Sequence, residues 1–527
     1  MKNLTINNKS ITVAPGTSIL QAATKLGITI PTMCYMDGLP HNTSCMICVV
    51  EDKASNRLIP SCSARADEGM RIETDNERIR EFRRDALDLL LSEHIGDCQA
   101  PCQRICPAYM NIPLMIRQIQ RKEWTAAIRT VKAEIALPAV LGRICPAPCE
   151  NGCNRKQHDA PVSICLLKRI VADIDMQSKE PFMPPVAPSS GKTVAIVGAG
   201  PAGLSAAYYL SAMGHHCVLF DKNEKPGGNL QYAVPDDRLP RGVLDAEIEL
   251  ILQKNVEVRS NVTFGTDILF NDVQQQFDAV ILATGEINEE LYKSTDLQHT
   301  GRGLKIDRKT LMTNIDGVFA GGSLVSASQM AVRAVGHGKT MAHSVDQYLK
   351  DETITGRPTR FNSLLGRIQE SEAAQFLKDS SDKNRVEPSD GESAGFSSDE
   401  AVREAQRCFH CDCRKQESCK LRLYADEYDA SQSRFKSRSR KPFERFVQHE
   451  LVVFEPGKCI KCGLCVQITE QAKEKFGFTF INRGFDVKIA IPFQEALNQG
   501  LEKVARDCAE ACPTAAISLR KKEESIK

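Results

Sequence analysis

The first alternation of apolar and polar residues is LTINNKSITV, within residues 2–13, and it predicts two short strands turning at Asn7-Asn8. SILQAATKLGI follows with helical spacing, and Ser18 stands where a helix cap is expected. Apolar stripes of helical period return in ERIREFRRDALDLLL and IPLMIRQIQRKEWTAAIRTV, so residues 77–175 read as helices interrupted by cysteine rows. After a proline-rich connector, EPFMPPVAPSSG, the pattern changes to the short apolar strand Lys192–Val197. LSAAYYLSAMG then predicts a helix and HHCVLFD a second strand. From ITGRPTRFNSLLG to SSDKNRVEPSDGESAGFSSDE the chain is polar and rich in Ser, Asp and Glu. That stretch predicts a long, partly disordered connector with one helix.

A length of 527 residues suits about three or four domains. Lys+Arg 68 against Asp+Glu 67 leaves a net charge of +1, no electrostatic reason to expect nucleic acid or an anionic membrane as partner. No apolar run approaches the ~20 residues that span a bilayer, and MKNLTINNKSITVAPG lacks the features of a signal peptide. The expected compartment is a reducing cytoplasm. There, clustered cysteines serve metal or redox chemistry instead of disulfides. The chain has 21 cysteines, and all but Cys217 and Cys508 fall into tight groups. Cys217, in the second strand of the middle region, reads as core packing.

Cys34, Cys45, Cys48 and Cys62 have ten, two and thirteen residues between them. Four thiolates so spaced can wrap a [2Fe–2S] cluster; a structural zinc site is the alternative. Residues 1–93 resemble the plant-type-like [2Fe–2S] domain that opens the iron–sulfur subunits of NADH dehydrogenases, hydrogenases and some formate dehydrogenases. The departure is at Ser44–Met46, where that family has a Gly and an Arg around the middle Cys.

Two rows with cysteines four apart interrupt the helical region: His94, Cys98, Cys102 and Cys106-Pro107, then Cys145-Pro146, Cys149 and Cys153, with Cys165 further on. Their seven cysteines are one short of two complete [4Fe–4S] sites. CQAPCQRICPAYMNIP, GRICPAPCENGC and APVSI resemble the N-terminal domain of the glutamate synthase small-subunit family, which includes the flavin-plus-cluster half of dihydropyrimidine dehydrogenase. That resemblance implies two [4Fe–4S] clusters with crossed ligands. Cys98, Cys102, Cys153 and His94 would hold one, and Cys106, Cys145, Cys149 and Cys165 the other. His94 falls on the first position of the row, where ligation and simple solvation both stay open. Lys168 occupies the position of the family's Gln or Glu ligand, and Cys165, one turn earlier, would replace it.

Gly198-Ala199-Gly200-Pro201-Ala202-Gly203 joins the strand Lys192–Val197 to its helix, and the second strand ends on Asp221. The glycines permit the tight turn, backbone approach to a pyrophosphate and close helix packing; Asp221 is placed to accept from ribose hydroxyls. PGGNLQYAVPDDRLPRGVLDAEI, FDAVILATGE and DGVFAGGSLV resemble the same family's flavin domain, which implies FAD. The resemblance adds Lys222, Gly228, Leu230, Thr284, Gly285, Gly322 and Ser323 to the cofactor-binding residues; Ser323 stands where the family has Asp. Between Gly285 and Gly317 the family inserts a whole NAD(P)H-binding domain. The short EINEELYKSTDLQHTGRGLKIDRKTLMTNID holds no second GxGxxG, and we expect that domain to be missing.

Cys408, Cys411, Cys413 and Cys419 read as one further [4Fe–4S] site, with zinc as the alternative. RFKSRSRK reads as a solvated loop or a docking surface for an acidic partner. Cys459, Cys462, Cys465 and the later Cys512-Pro513 look like bacterial ferredoxin and imply one [4Fe–4S] cluster, Cys508 being spare. A second would need cysteines where Thr469, Glu502 and Ala505 stand.

The expected fold is multidomain, α/β plus α+β. It comprises a β-grasp [2Fe–2S] domain (1–75), an α-helical double-cluster domain (76–180), a linker (181–191) and a Rossmann-like FAD domain lacking the inserted NAD(P)H domain (192–350). A connector (351–400), a cysteine-rich segment (401–430) and a ferredoxin-like domain (431–527) complete it. The expected function is electron transfer between FAD, one [2Fe–2S] and up to four [4Fe–4S] clusters within a multi-subunit complex. No catalytic constellation is found, so a substrate site would lie on a partner similar to formate dehydrogenase, hydrogenase or an NADH-oxidising flavoprotein, or electrons would pass to a ferredoxin. The alternatives are an independent NAD(P)H:acceptor oxidoreductase and a zinc-stabilised scaffold.

Overall fold

β1 (Lys2–Ile6) and β2 (Lys9–Val13) pair antiparallel with Ile6 opposite Lys9. Asn7 and Asn8 between them both take left-handed φ, 47° and 64°, which asparagine tolerates better than most residues. With β3 (Val49–Asp52), β4 (Arg57–Pro60) and β5 (Arg71–Glu73) they form a mixed sheet of order β2-β1-β5-β3-β4. The helix Ile19–Lys25 buries Ile19, Leu20, Ala22 and Ala23 in one core with Leu4, Ile6, Val13 and Ile72. Ser18 caps it: its Oγ accepts from the Gln21 N–H at 3.2 Å, and Gln21 Oε1 accepts from the Ser18 N–H at 3.0 Å.

The computed structural model describes residues 1–520 apart from 41, 286–294, 302, 327–329 and 437–438. The first part of the short segment after Gly285, and two residues of the basic run, lie outside the described residues. The chain divides into two bodies. Body one takes Met1–Gln99, Arg360–Asp379 and His410–Lys527; body two takes Ala100–Thr359 and Ser380–Phe409.

In body one the helix Glu77–Ser92 is anchored by Arg83, fully buried, which donates to Tyr428 Oη (2.9 Å), Val49 O (2.9 Å) and Thr74 O (3.0 Å). Towards the C-terminus, strands Val452–Phe454 and Ile517–Leu519 pair antiparallel under the helices Leu464–Gln471 and Ala505–Ala511.

Body two joins a helical part to a parallel sheet. The apolar stripe of residues 112–132 forms two helices, Ile112–Gln120 and Trp124–Lys132, parted at Lys122 with its left-handed φ of 59°. The sheet contains β6 (Thr193–Val197), β7 (His216–Phe220), β8 (Val256–Arg259) and β9 (Ala279–Leu282). A hairpin of β10 (His299–Thr300) and β11 (Gly303–Leu304) precedes its last strand, β12 (Val318–Ala320). The order is β12-β9-β6-β7-β8, all parallel. Among the described residues only that hairpin is regular structure between β9 and β12.

The stretch 351–400 differs from the connector expected of its composition. It contributes to both bodies, and in body one its apolar Ile368, Ala373 and Phe376 are buried, Phe376 stacking on Phe443 with centroids 4.3 Å apart. Among the described residues no helix is long and apolar enough to cross a membrane.

Candidate redox-cofactor sites

The loop between the helix Ile19–Lys25 and β3 carries Cys34, Cys45 and Cys48, and Cys62 follows β4; each is at most 3% exposed. The thiols interact in pairs. A hydrogen bond from Cys45 holds Cys34 down to about 5 while Cys45 is pushed up; Cys62 is likewise lowered by Cys48, which is raised. Thr43 and Met46 carry left-handed φ of 46° and 58°, so the loop is bent at the place where the sequence departs from its resembling family.

In the C-terminal part of body one, Cys459, Cys462, Cys465 and Cys512 line one cavity, otherwise walled mainly by apolar side chains such as Phe454, Leu464, Ile489 and Ile517. Burial pushes the Cys459 and Cys462 thiols up to about 12. Such a group of thiols becomes thiolate only with a cation among them, which is what an iron–sulfur cluster supplies. Backbone amides already point at the sulfurs: the Lys461 N–H donates to Cys459 Sγ (3.3 Å) and the Ile517 N–H to Cys512 Sγ (3.4 Å). Cys508 is buried and does not line this cavity. Thr469, at a position a second ferredoxin cluster would need, accepts from the Phe478 N–H (3.1 Å) and donates to Val466 O (3.0 Å).

In body two, Cys106, Cys145, Cys149 and Cys165 line a second apolar cavity, with Ile112, Ile135 and Val332 among its walls. They come from four separate places: the ends of helices Pro101–Ile105 and Pro138–Ile144, the helix Pro148–Asn151 and the first turn of Ile164–Met176. Lys168 is in the same wall, and its Nζ donates to Leu141 O at 3.0 Å. Burial works against its charge, but Cys165, Cys145, Cys149 and Cys106 outweigh it and hold the ammonium above its ordinary pKa.

The boundary between the bodies divides both remaining rows. Cys98 falls in body one, whereas Cys102 and Cys153 lie in body two, on the packed helices Pro101–Ile105 and just after Pro148–Asn151. Cys408 belongs to body two, and Cys411, Cys413 and Cys419 to body one. In body one the backbone N–H of Cys413 donates to Cys98 O at 3.1 Å. His94 is enclosed at Nδ1, which has no hydrogen-bond partner. Among the described residues no three His, Cys, Asp or Glu side chains close on a single metal ion.

The nucleotide turn sits at the C-terminal edge of the parallel sheet. Gly198 has φ 105°, and a Cβ on Gly203 would collide with Gly198 O. Over Gly200 the nearest atom a Cβ would meet is Gly228 Cα at 4.0 Å, so the backbone is left open where a pyrophosphate would lie. Pro201 and Ala202 open the helix Pro201–Ala212. The Asp221 oxygens brace the turn: Oδ2 accepts from the Ala199 N–H (2.7 Å) and Oδ1 from the Asn223 N–H (2.9 Å). Gly228 and the buried Leu230 pack beside it, and Lys222 is exposed after β7. Thr284 and Gly285 follow β9; Gly322 and Ser323 follow β12, and the Gly322 N–H donates to His337 Nδ1 (3.1 Å), a contact no motif announced. Cys217 is buried within β7.

The fold and these sites define an iron–sulfur protein with a nucleotide-binding sheet. Residues 1–77 match the 2Fe-2S iron–sulfur cluster binding domain, residues 92–180 the dihydropyrimidine dehydrogenase domain II with its 4Fe-4S cluster, and residues 196–253 the NAD(P)-binding Rossmann-like domain. The chain is 36% identical over 220 residues to the NADPH-Fe(3+) oxidoreductase subunit beta of Geobacter sulfurreducens, covering 40% of this chain and 33% of that one. It is 38% identical over 207 residues to the NADP(+)-dependent formate dehydrogenase subunit beta of Moorella thermoacetica, covering 35% and 29%. With the glutamate synthase [NADPH] small chain of Bacillus subtilis it shares 34% over 256 residues, covering 47% and 50%. The chain thus spans half or less of the length of these relatives.

Proposed function

We propose that this chain is an electron-transfer subunit of a multi-subunit oxidoreductase, holding one FAD, one [2Fe–2S] and up to four [4Fe–4S] clusters. The observation that carries the reading is the pair of mainly apolar cavities, each lined by four thiols. Bound there, iron–sulfur clusters exchange single electrons and a flavin exchanges one or two.

The chain's own residues set the terms of that exchange. Cys459, Cys462, Cys465 and Cys512, and likewise Cys106, Cys145, Cys149 and Cys165, supply soft ligands and exclude water. The amides of Lys461 and Ile517 donate to ligand sulfurs and stabilise negative charge on them. Gly198–Gly203 and the start of the helix Pro201–Ala212 receive the pyrophosphate of FAD, and Gly228, Leu230, Thr284, Gly285, Gly322 and Ser323 border the rest of the cofactor.

A nicotinamide domain is missing from this reading, so the flavin exchanges electrons with clusters or with a partner subunit. That partner is another redox subunit, of the formate dehydrogenase, hydrogenase or NADH-oxidising flavoprotein kind, or a ferredoxin. Anaerobic rapid mixing tests this. The isolated chain's flavin should stay oxidised when mixed with NADH or NADPH and bleach with dithionite. Rapid bleaching by either nicotinamide would mean that the chain is itself an NAD(P)H oxidoreductase.

A further inference from the structure

The helix Ala331–Leu349 passes both candidate cofactor sites of body two. Val332, at its start, stands in the wall of the cavity lined by Cys106. One turn later Gly336 packs on the backbone that follows Cys106, and a Cβ there would come within 2.5 Å of Pro107 O. Gly338 lies against the nucleotide helix Pro201–Ala212, where a Cβ would come within 2.3 Å of Ala202 O. Ser205 Oγ, on that second helix, donates to Val335 O at 2.8 Å. Two glycines and a hydroxyl thus set the helix in one register against both sites.

His337 stands between these glycines and reaches the turn after β12. The ladder with β9 ends at the Gly321 N–H, which donates to Leu282 O at 3.0 Å. The next amide goes to the imidazole: the Gly322 N–H donates to His337 Nδ1 at 3.1 Å. Gly322 takes φ 71°, in the region open to glycine, and a Cβ on Gly321 would come within 3.2 Å of the His337 Cβ. The turn therefore has room for the ring only while both residues are glycine. An accepting Nδ1 carries no hydrogen, so the neutral ring keeps its proton on Nε2. Burial, then the charge of Arg333, holds the imidazole below its ordinary pKa and keeps it neutral.

We propose that His337 is a positioning residue for FAD. Through Nδ1 it fixes the Gly321–Ser323 turn, one edge of the flavin site, to the helix that also walls the Cys106 cavity. Flavin and cluster are then held against a single element. The proposal rests on the FAD reading above, and His337 acts through the Gly322 amide, not on the reacting atoms of the flavin.

The test uses the full chain, prepared anaerobically, with FAD release followed by free-flavin fluorescence on dilution and the cluster EPR signals recorded on every variant. His337→Ala should weaken FAD binding about tenfold, the upper range for one buried hydrogen bond, and leave the EPR signals unchanged. Asn places its Oδ1 where imidazole has Nδ1, so His337→Asn should bind FAD within about twofold of the unaltered chain. Gln extends to the position of Nε2, so His337→Gln should behave as His337→Ala. If His337→Ala loses the cluster signals through misfolding, the Asn and Gln pair decides alone. Equal loss in all three variants would mean that the ring acts by packing. Retention in His337→Gln with loss in His337→Asn would make Nε2 the working nitrogen. Either result overturns the assignment, as does undiminished binding in a folded His337→Ala. An unaltered chain that binds no FAD would instead overturn the reading beneath it.

Discussion

Lys168 shows how one side chain sets a site's behaviour. An ammonium inside a cavity of four thiols lowers the energy of added negative charge, so it favours the reduced state of whatever the thiols hold. Lys168→Met should lower that cluster's midpoint potential and leave the others unmoved, which an EPR-monitored redox titration resolves. Gly203 matters through space. Gly203→Ala should cost about 1–3 kcal/mol by overpacking against Gly198 O. It should also release most of the flavin, measured as FAD retained after desalting beside the thermal midpoint. At this scale the sequence was partly legible. The order strand, glycine turn, helix, strand, acid is local, so it located the turn. The bracing of Ala199 by Asp221, and of Gly322 by His337, depends on strands meeting in space, and no spacing along the chain encodes it.

Among elements, the helix Pro138–Ile144, which leads into Cys145, is capped by a residue far away. Glu247 accepts from the Ala139 N–H (2.7 Å) and the Val140 N–H (2.8 Å). Burial pushes its carboxyl up to about 7 despite those two bonds, against an ordinary 4.5. The folded state therefore keeps a proton that the unfolded chain releases between pH 4.5 and about 7. Stability from this group is full below that window and falls as pH rises through it, by a total on the order of 3 kcal/mol. Glu247→Gln should flatten the difference in urea midpoint between pH 5.5 and 7.5; an unchanged slope would place the titration elsewhere. Helices and strands with strong periodicity were legible, including the Asn7-Asn8 turn. The break at Lys122 and the buried Phe376 were not, because a left-handed residue and a lone core aromatic leave no periodic trace.

At the scale of the molecule, body one is discontinuous, and Cys34, Cys45, Cys419 and Cys462 share one of its apolar clusters. The [2Fe–2S] loop and the ferredoxin-like loop approach so closely that a Cβ on Gly463 would meet the Asn42 amide. Electrons entering at either loop thus have a short route to the other, and Gly463→Val should slow cluster-to-cluster equilibration while leaving both EPR signals present. Cysteine spacing grouped the thiols of the [2Fe–2S] loop and of the ferredoxin-like row, whereas the set of Cys106, Cys145, Cys149 and Cys165 follows only from the crossing that the resemblance implies. It hid the division of the other rows, since neighbours in one row look alike whether they share a site or flank a boundary.

The central claim is that these thiols hold iron around a flavin. Anaerobic preparation of the full chain, with iron, acid-labile sulfide, zinc and FAD measured on one sample, tests it most directly. The account predicts a brown protein with iron and sulfide in near-equal amounts, bound FAD and EPR signals of both cluster types. A colourless chain with zinc and no sulfide would contradict it.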